Sequence, residues 1–457
     1  MKRWKVDRVT IFFFIVVVSF LYDIAFYLGI RDTARFPHPF VYFRSLGDIE
    51  YLRGFPRMLR QVMFPLVAGG LLGWVIGFVI LKSVWLSRAT IRFLRIAMWF
   101  PFLVVFAVPN TLMLGVAATM LAALYHYLTA RSFLEISNGA AERYAFGEST
   151  LQTLFFILIA QIWVRQWDWP ISPMISDAMR AFTVCALIVA LVLLINWTFR
   201  RKFLAGCTRL AILRNKESLF LKEGPFLGAA LLTLIWLLVW ELICVAFMYE
   251  TAGAFPAIQR VGELLFTQDA WRNIFVSLVE IGGGVLSGGL LALAVSTVMR
   301  RSEMIQCAIV KILPSTYLSP IALWLLIHYF VFLFSDELSW SRTFFVGAGH
   351  KIVGVGLLTF LPLLQTSWAF REAPLLRRCL FAIDDALPIA FIAMLFGELY
   401  GATAGLGFQM TVASATYQYQ EGLGYFLITA TLLAALSMML RLIERLAGFQ
   451  TDQIETS

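Results

Sequence analysis

Apolar residues in this chain come in long blocks, separated by short polar or basic stretches, with none of the strict alternation that marks strands. The first block, "VTIFFFIVVVSFLYDIAFYLGI" (Val9 to Ile30), is close to the ~20 residues that cross a bilayer core as a helix. No small-residue cleavage site follows it, so it predicts a retained span rather than a signal peptide. The segment from Arg31 to Gln61 predicts an external loop, and Met63 to Ile80 a returning span. After the basic stretch "KSVWLSRATIRFLR", the block "IAMWFPFLVVFAVPNTLMLGVAATMLAALYHYL" is too long for one span, and Pro109-Asn110 is its natural break. The polar segment Ala130 to Ser149 then precedes "TLQTLFFILIAQIWV", "QWDWPISPMISD" and "AFTVCALIVALVLLINW". From Pro225 the order recurs, with spans beginning near Leu227, Ile274, Val310, Val346, Ala386 and Tyr425. The expected fold is all-α, a polytopic helical membrane protein with about 12 transmembrane helices in two tandem six-helix units. The first unit covers 1–205, a basic linker 206–224, the second unit 225–448 and a tail 449–457.

Composition agrees with that pattern. Of 457 residues 60% are hydrophobic and only 14% charged, with a mean hydropathy of +0.80. A soluble chain of this length has too much surface for so few charges. The net charge of +9 invites a nucleic-acid reading. The basic residues instead sit at the ends of apolar runs, as in Lys2, Arg3, Lys5 and Arg8, or Arg200, Arg201 and Lys202. The positive-inside rule produces that distribution, so the expected partner is the lipid bilayer and not nucleic acid. Both termini, the linker and the Ala130 to Ser149 segment are expected in the cytoplasm. The Arg31 to Gln61 loop, with its arginines, fits this sidedness worst. The five cysteines and four histidines form no metal-ligand spacing, so no metal or bound cofactor is expected.

The chain also repeats itself. "FP" recurs 219 positions apart, at residues 36 and 255, and "GGLL" recurs at the same offset, at 69 and 288. The register also matches Arg53 with Arg272, Lys82-Ser83 with Arg301-Ser302, Arg92 with Lys311 and Pro101 with Pro320, without a gap. Basic residues and prolines in one register point to a duplication.

The second unit ends on a distinctive order. An "FP" and an amphipathic segment lead to a Gly-rich span and the basic turn "MRRSE". The Pro-containing "LPSTYLSPIALWLL" follows, and later an apolar span ends in Glu398 before "GATAGLGF". This ordered set resembles the permease subunit of binding-protein-dependent ABC importers, in the nitrate, sulfonate, taurine and bicarbonate branch. The resemblance covers about Phe255 to Gly448 and is weaker over the first unit. It implies an inner-membrane permease that moves a small anion and has no enzyme activity of its own. ATP would be hydrolysed on a separate ABC ATPase subunit, and substrate delivered by a periplasmic solute-binding protein. No G-x-x-x-x-G-K-[ST] loop is present, in keeping with ATP on the partner.

The resemblance places Glu398, Gly405, Leu406 and Gly407 at the translocation pathway, with Gln161 near the place of Glu398 in the first unit. It places the ATPase-coupling loops in "NGAAERYAFGES" (Ala140, Ala141, Glu142, Gly147) and "REAPLLRRCLF" (Glu372, Ala373, Arg377, Arg378), within the internal segment Trp368 to Asp385. Both loops depart from the family's Glu-Ala-Ala…Gly pattern, Pro374 follows Ala373, and the second is short. That departure keeps open a degenerate permease acting as a structural or accessory membrane subunit. An ion-driven secondary transporter is a further alternative, against which the pairing of Gln161 with Glu398 speaks. No nucleophile–base constellation supports a hydrolase or oxidoreductase.

Glu398 has a simpler reading too, as a span boundary residue at the headgroups. Counted from Ala386 it lies about 18 Å along its helix, past the middle of a ~30 Å core, where a carboxylate needs a cavity, a partner or water. It is therefore expected to face the first unit. Asp23, Glu241 and Glu280 lie deeper in spans and need partners the sequence does not name, whereas Asp384 and Asp385 are expected solvated at the cytoplasmic boundary. The "GGG" and "GGLL" clusters read as helix-packing faces.

Overall fold

A computed structural model describes residues 49–104, 111–132, 149, 152–153, 156, 226–246, 253–302, 305–306, 348–371, 373–399 and 402–447. The elements are α1 (Ile49–Ile80), α2 (Val84–Ala97), α3 (Phe100–Val104), α4 (Thr111–Ser132), α5 (Phe226–Ala246) and α6 (Ala254–Leu265). They continue as α7 (Gln268–Arg301), α8 (Ala348–Ala369), α9 (Leu375–Leu399), α10 (Leu406–Ala415) and α11 (Tyr419–Leu446). Among the described residues there is no strand. Among the described residues six helices are long and apolar enough to cross a membrane: α1, α4, α7, α8, α9 and α11.

Burial separates these helices into two kinds. Helix α9 is packed on nearly every side: every residue from Ala386 to Glu398 is buried. A helix apolar all round belongs at the centre of a bundle. Helices α1, α7 and α11 bury one face only, and their other faces expose Phe78, Phe275, Leu286, Leu290, Met438 and Leu442. So much large apolar surface is a penalty in water and suits lipid. The chain is a multi-pass membrane protein.

Two helix pairs use the same close contact. Helix α1 packs along α4, and α7 along α8. A Cβ on Gly69 would fall 2.6 Å from the Val116 carbonyl oxygen and 2.7 Å from Thr119 Cβ; one on Gly288 would fall 2.6 Å from the Gly356 carbonyl oxygen and 2.8 Å from Thr359 Oγ1. Both threonines turn their hydroxyl back into their own helix, Thr119 to the Gly115 carbonyl at 2.9 Å and Thr359 to the Val355 carbonyl at 2.8 Å. Gly115 meets Pro65, and at the matching place Gly284 meets Val355. Small residues let the backbones approach, and in a membrane that packing holds helices together.

The two halves of the chain meet through α2 and α3. Helix α5 lies on α2, where Gly228 faces Ala89 and Trp85. Phe100 of α3 touches Trp236 of α5 at 5.4 Å between ring centroids and Phe426 of α11 at 5.9 Å. Arg95 of α2 forms an ion pair with Asp384 of α9, whose other oxygen accepts from Ser437 Oγ of α11 at 2.6 Å. Asp384 is therefore buried and paired, not solvated as expected, because a basic residue from the other half neutralises it. Its neighbour Asp385 accepts from Thr366 Oγ1 at 2.8 Å.

Other boundaries differ from the sequence expectation. Helix α1 begins at Ile49, so the part of the expected external loop from 49 to 61 is helical. Helix α9 begins at Leu375, so most of the expected internal segment Trp368 to Asp385 is membrane helix, and among the described residues only 370, 371, 373 and 374 lie between α8 and α9. Near the expected break at Pro109-Asn110, α3 ends at Val104 and α4 starts at Thr111, and 105–110 lie outside the described residues. The expected spans at Val9 to Ile30, near Val310 and from 150 to 197 fall wholly or largely outside them too, as do the linker and tail.

Candidate functional site

Helix α9 ends at a glutamate, and after residues 402–405 the short helix α10 begins. Every helix start leaves its first N–H groups without intrahelical partners. At α10 these are the N–H groups of residues 405 to 408, and each has an acceptor. Gly405 donates to Asn273 Oδ1 at 2.8 Å and Leu406 to Ser277 Oγ at 2.9 Å. Gly407 donates to Glu398 Oε2 at 2.5 Å, and Phe408 to the same oxygen at 3.4 Å. Ser277 passes its own proton to Glu398 Oε1 at 2.6 Å. Asn273 is oriented by its amide nitrogen, which donates to the Asp269 carbonyl of α7 at 2.9 Å. The Glu398 carboxylate thus caps a helix nine residues on in sequence, with α7 supplying the remaining acceptors.

The glycines have a direct reason here. Gly405 holds φ at +123°, where L side chains are strained, and a Cβ on it would collide with the Glu398 carboxyl. A Cβ on Gly407 would lie 3.0 Å from Glu398 Oε2 and from Leu395. Backbone close enough to wrap a carboxylate requires both. Charge-assisted bonds of this kind are roughly twice as strong as neutral ones, and the positive end of the helix dipole favours the anion.

A second glutamate does the same task. Glu241, near the end of α5, accepts from the Phe255 N–H of α6 at 3.0 Å, and a Cβ on Gly253 would fall 2.6 Å from its Oε2. Helix α6 is in turn tied to α11 by Arg260, which donates to Glu263 at 2.7 Å and Glu421 at 3.1 Å. Hydrogen bonding to Glu263, supported by Glu421, pushes the Arg260 pKa up from its ordinary value.

One helical turn beyond Ser277 on α7 lies Glu280. Its Oε1 accepts from Lys351 Nζ of α8 at 3.0 Å, and its place one turn on from Ser277, which bonds Glu398, sets its carboxyl beside that of Glu398. Glu280 is 0% exposed, Glu398 1% and Lys351 3%. Two carboxyls, one ammonium and a helix end therefore share one buried polar site. Among the described residues no cluster of three or more His, Cys, Asp or Glu could hold a metal.

Of the residues singled out in the sequence, Glu398, Gly405, Leu406 and Gly407 form this one unit. All the partners found for Glu398 lie in the second half; Gln161 lies outside the described residues. So do Ala140, Ala141, Glu142, Gly147 and Glu372. Ala373 sits in the α8–α9 turn, while Arg377 and Arg378 lie on the first turn of α9. That turn is held down: Arg300 of α7 donates to the Arg371 carbonyl at 3.1 Å, and Phe370 stacks on Phe381 at 4.8 Å. Arg377 lies over the Phe381 ring at 5.7 Å and 4.0 Å from Glu444.

Sequence reasoning missed Asn273, Ser277 and Lys351. A lone lysine in an apolar helix is a signal, since such a charge requires a buried counter-ion; Asn273 and Ser277 carry none. No family model, curated protein or solved structure matches this chain.

Proposed function

We propose that this chain is the transmembrane permease of an ABC importer for a small anion of the nitrate, sulfonate, taurine or bicarbonate type. It would lie in the inner membrane with both termini cytoplasmic, driven by a separate ATPase subunit and supplied by a periplasmic solute-binding protein. The observation that carries this reading is the capped helix end: Glu398 and Gly405-Leu406-Gly407, which bear the resemblance in sequence, are one structural unit. Two fused copies are supported by the paired contacts of Gly69 with α4 and of Gly288 with α8, 219 positions apart, at residues 69 and 288. Six-span copies, about 12 spans in all, would supply both permease walls around one path.

A second reading, an accessory membrane subunit on a degenerate permease fold, is favoured by the α8–α9 connection. Only five positions separate Ala369 from Leu375, and Arg300 bonds the Arg371 carbonyl among them, leaving little chain to project toward an ATPase.

Purification of the tagged chain from its native membrane separates the two readings. For the permease, an ATPase subunit and a solute-binding protein co-purify, and reconstituted vesicles take up anion with ATP. Glu398→Gln then impairs uptake while membrane insertion is kept. Recovery in a larger membrane complex without an ATPase would instead establish the accessory reading.

A further inference from the structure

The polar site between α7, α8, α9 and α10 has an unbalanced charge and an unmade hydrogen bond. Glu398 is surrounded by donors only: Ser277 Oγ on one oxygen, the Gly407 and Phe408 N–H groups on the other. That arrangement favours an ionised acceptor. Ser277 has no second proton to give, because its hydroxyl proton goes to Glu398 while its lone pair receives the Leu406 N–H. Glu280 is different. Lys351 occupies Oε1, but Oε2 receives no hydrogen bond from any donor among the described residues, although the side chain is 0% exposed. The carboxyl beside it among the described residues is that of Glu398, bonded one turn back along α7 at Ser277, and it cannot donate if it is ionised.

We propose that Glu280 and Glu398 bind one proton between them, carried on Glu280 Oε2 and donated to the Glu398 carboxylate. The proton supplies the missing hydrogen bond and balances the charge. Two carboxylates and one ammonium leave a net negative site; with the proton the site is neutral, as burial in a membrane favours. Lys351 Nζ already occupies the position beside Glu280 that a metal cation would take. Among the described residues, the groups facing the pair are Lys351 from α8 and, from α10, backbone N–H groups. Arg260, Glu263 and Glu421, on α6 and α11, are bonded to one another. Loss of the proton at high pH places two anions together and pushes Glu398 away from the start of α10. The site is then a proton-binding switch on that helix end, and it stands whether or not the chain is an importer.

Infrared difference spectroscopy on the full chain in lipid nanodiscs tests this. The carboxylic-acid C=O stretch, resolved above the amide I band, is compared between wild type and variants at neutral pH. One such band is expected in wild type, lost in Glu280→Gln. It is lost as well in Glu398→Gln, where Glu280 is left ionised against Lys351. Lys351→Met should enlarge it about twofold, because both carboxyls must then be neutral. In wild type alone the band should fade as pH rises. Glu280→Gln keeps an N–H donor for Glu398 and should insert normally; if it does not, the Glu398→Gln subtraction and the wild-type titration decide. No carboxylic-acid band in wild type, or one that survives both substitutions, would overturn the proposal.

Discussion

At Gly405 the physics of a single residue is unusually explicit, since a side chain there meets both an unfavourable φ and the Glu398 carboxyl. Gly405→Ala is expected to destabilise the protein by about 1–3 kcal/mol, the usual cost of holding an L residue in a sparsely populated conformation. Thermal unfolding of the purified chain in detergent, followed by tryptophan fluorescence, measures it. Gly282→Ala on α7 is the control, because nothing lies within 4 Å of its Cβ position. The cap itself is tested by hydrogen exchange. Glu398→Ala should deprotect the N–H groups of residues 407 and 408 while α8 keeps its protection, since losing one partner of a buried hydrogen bond costs about 1–3 kcal/mol. Equal exchange at 407 and 408 in both proteins would remove Glu398 as the cap. Glu398 was legible in the sequence because a carboxylate past the middle of a span needs a partner. Asn273 and Ser277 were not, since more than 120 residues of chain separate them from Glu398, and short-range spacing does not encode which helices become neighbours.

Between helices, α7 and α8 approach through glycines that differ sharply although they are adjacent in sequence. A Cβ on Gly288 meets the Gly356 carbonyl, whereas one on Gly289 meets nothing within 4 Å. Gly288→Ala should therefore lower the thermal transition. Gly289→Ala should be neutral or raise it, by about 0.5–1 kcal/mol from helix propensity alone. If the two variants behave alike, the α7–α8 contact is wrong. The sequence identified the cluster as a packing face but could not say which glycine faces α8, which depends on rotation about the helix axis. The start of α9 was misplaced for a related reason. Arg377, Arg378, Asp384 and Asp385 read as a cytoplasmic segment ahead of a span starting near Ala386, yet Asp384 is neutralised by Arg95, Asp385 is bonded to Thr366, and Arg377 rests on Phe381. Charges paired across elements do not interrupt a helix, and only the partners reveal them.

At the scale of the whole molecule, the halves are joined by an apolar seam through Phe100, Trp236 and Phe426, and by the buried Arg95–Asp384 pair. Removing one member of a buried pair typically costs about 3–5 kcal/mol, because the other is left uncompensated. Arg95→Met is accordingly expected to destabilise the protein strongly, and Arg95→Met with Asp384→Leu to recover much of the loss, in the same thermal assay. Equal effects of the single and double variants would mean that the pair does not join the halves. The proposed permease would set its two units side by side in the same orientation, so that both meet an ATPase on one face. Lys82, just after α1, and Arg301, the last residue of α7, occupy matching places and are exposed, as is Phe266 at the opposite end of α7. The most direct measurement is therefore single-cysteine labelling in sealed vesicles, with the five native cysteines replaced. Lys82→Cys and Arg301→Cys should react with a membrane-impermeant reagent from the cytoplasmic side only, and Phe266→Cys from the other side only. Labelling of Lys82→Cys and Arg301→Cys from opposite sides would contradict the parallel duplication, and with it the permease reading.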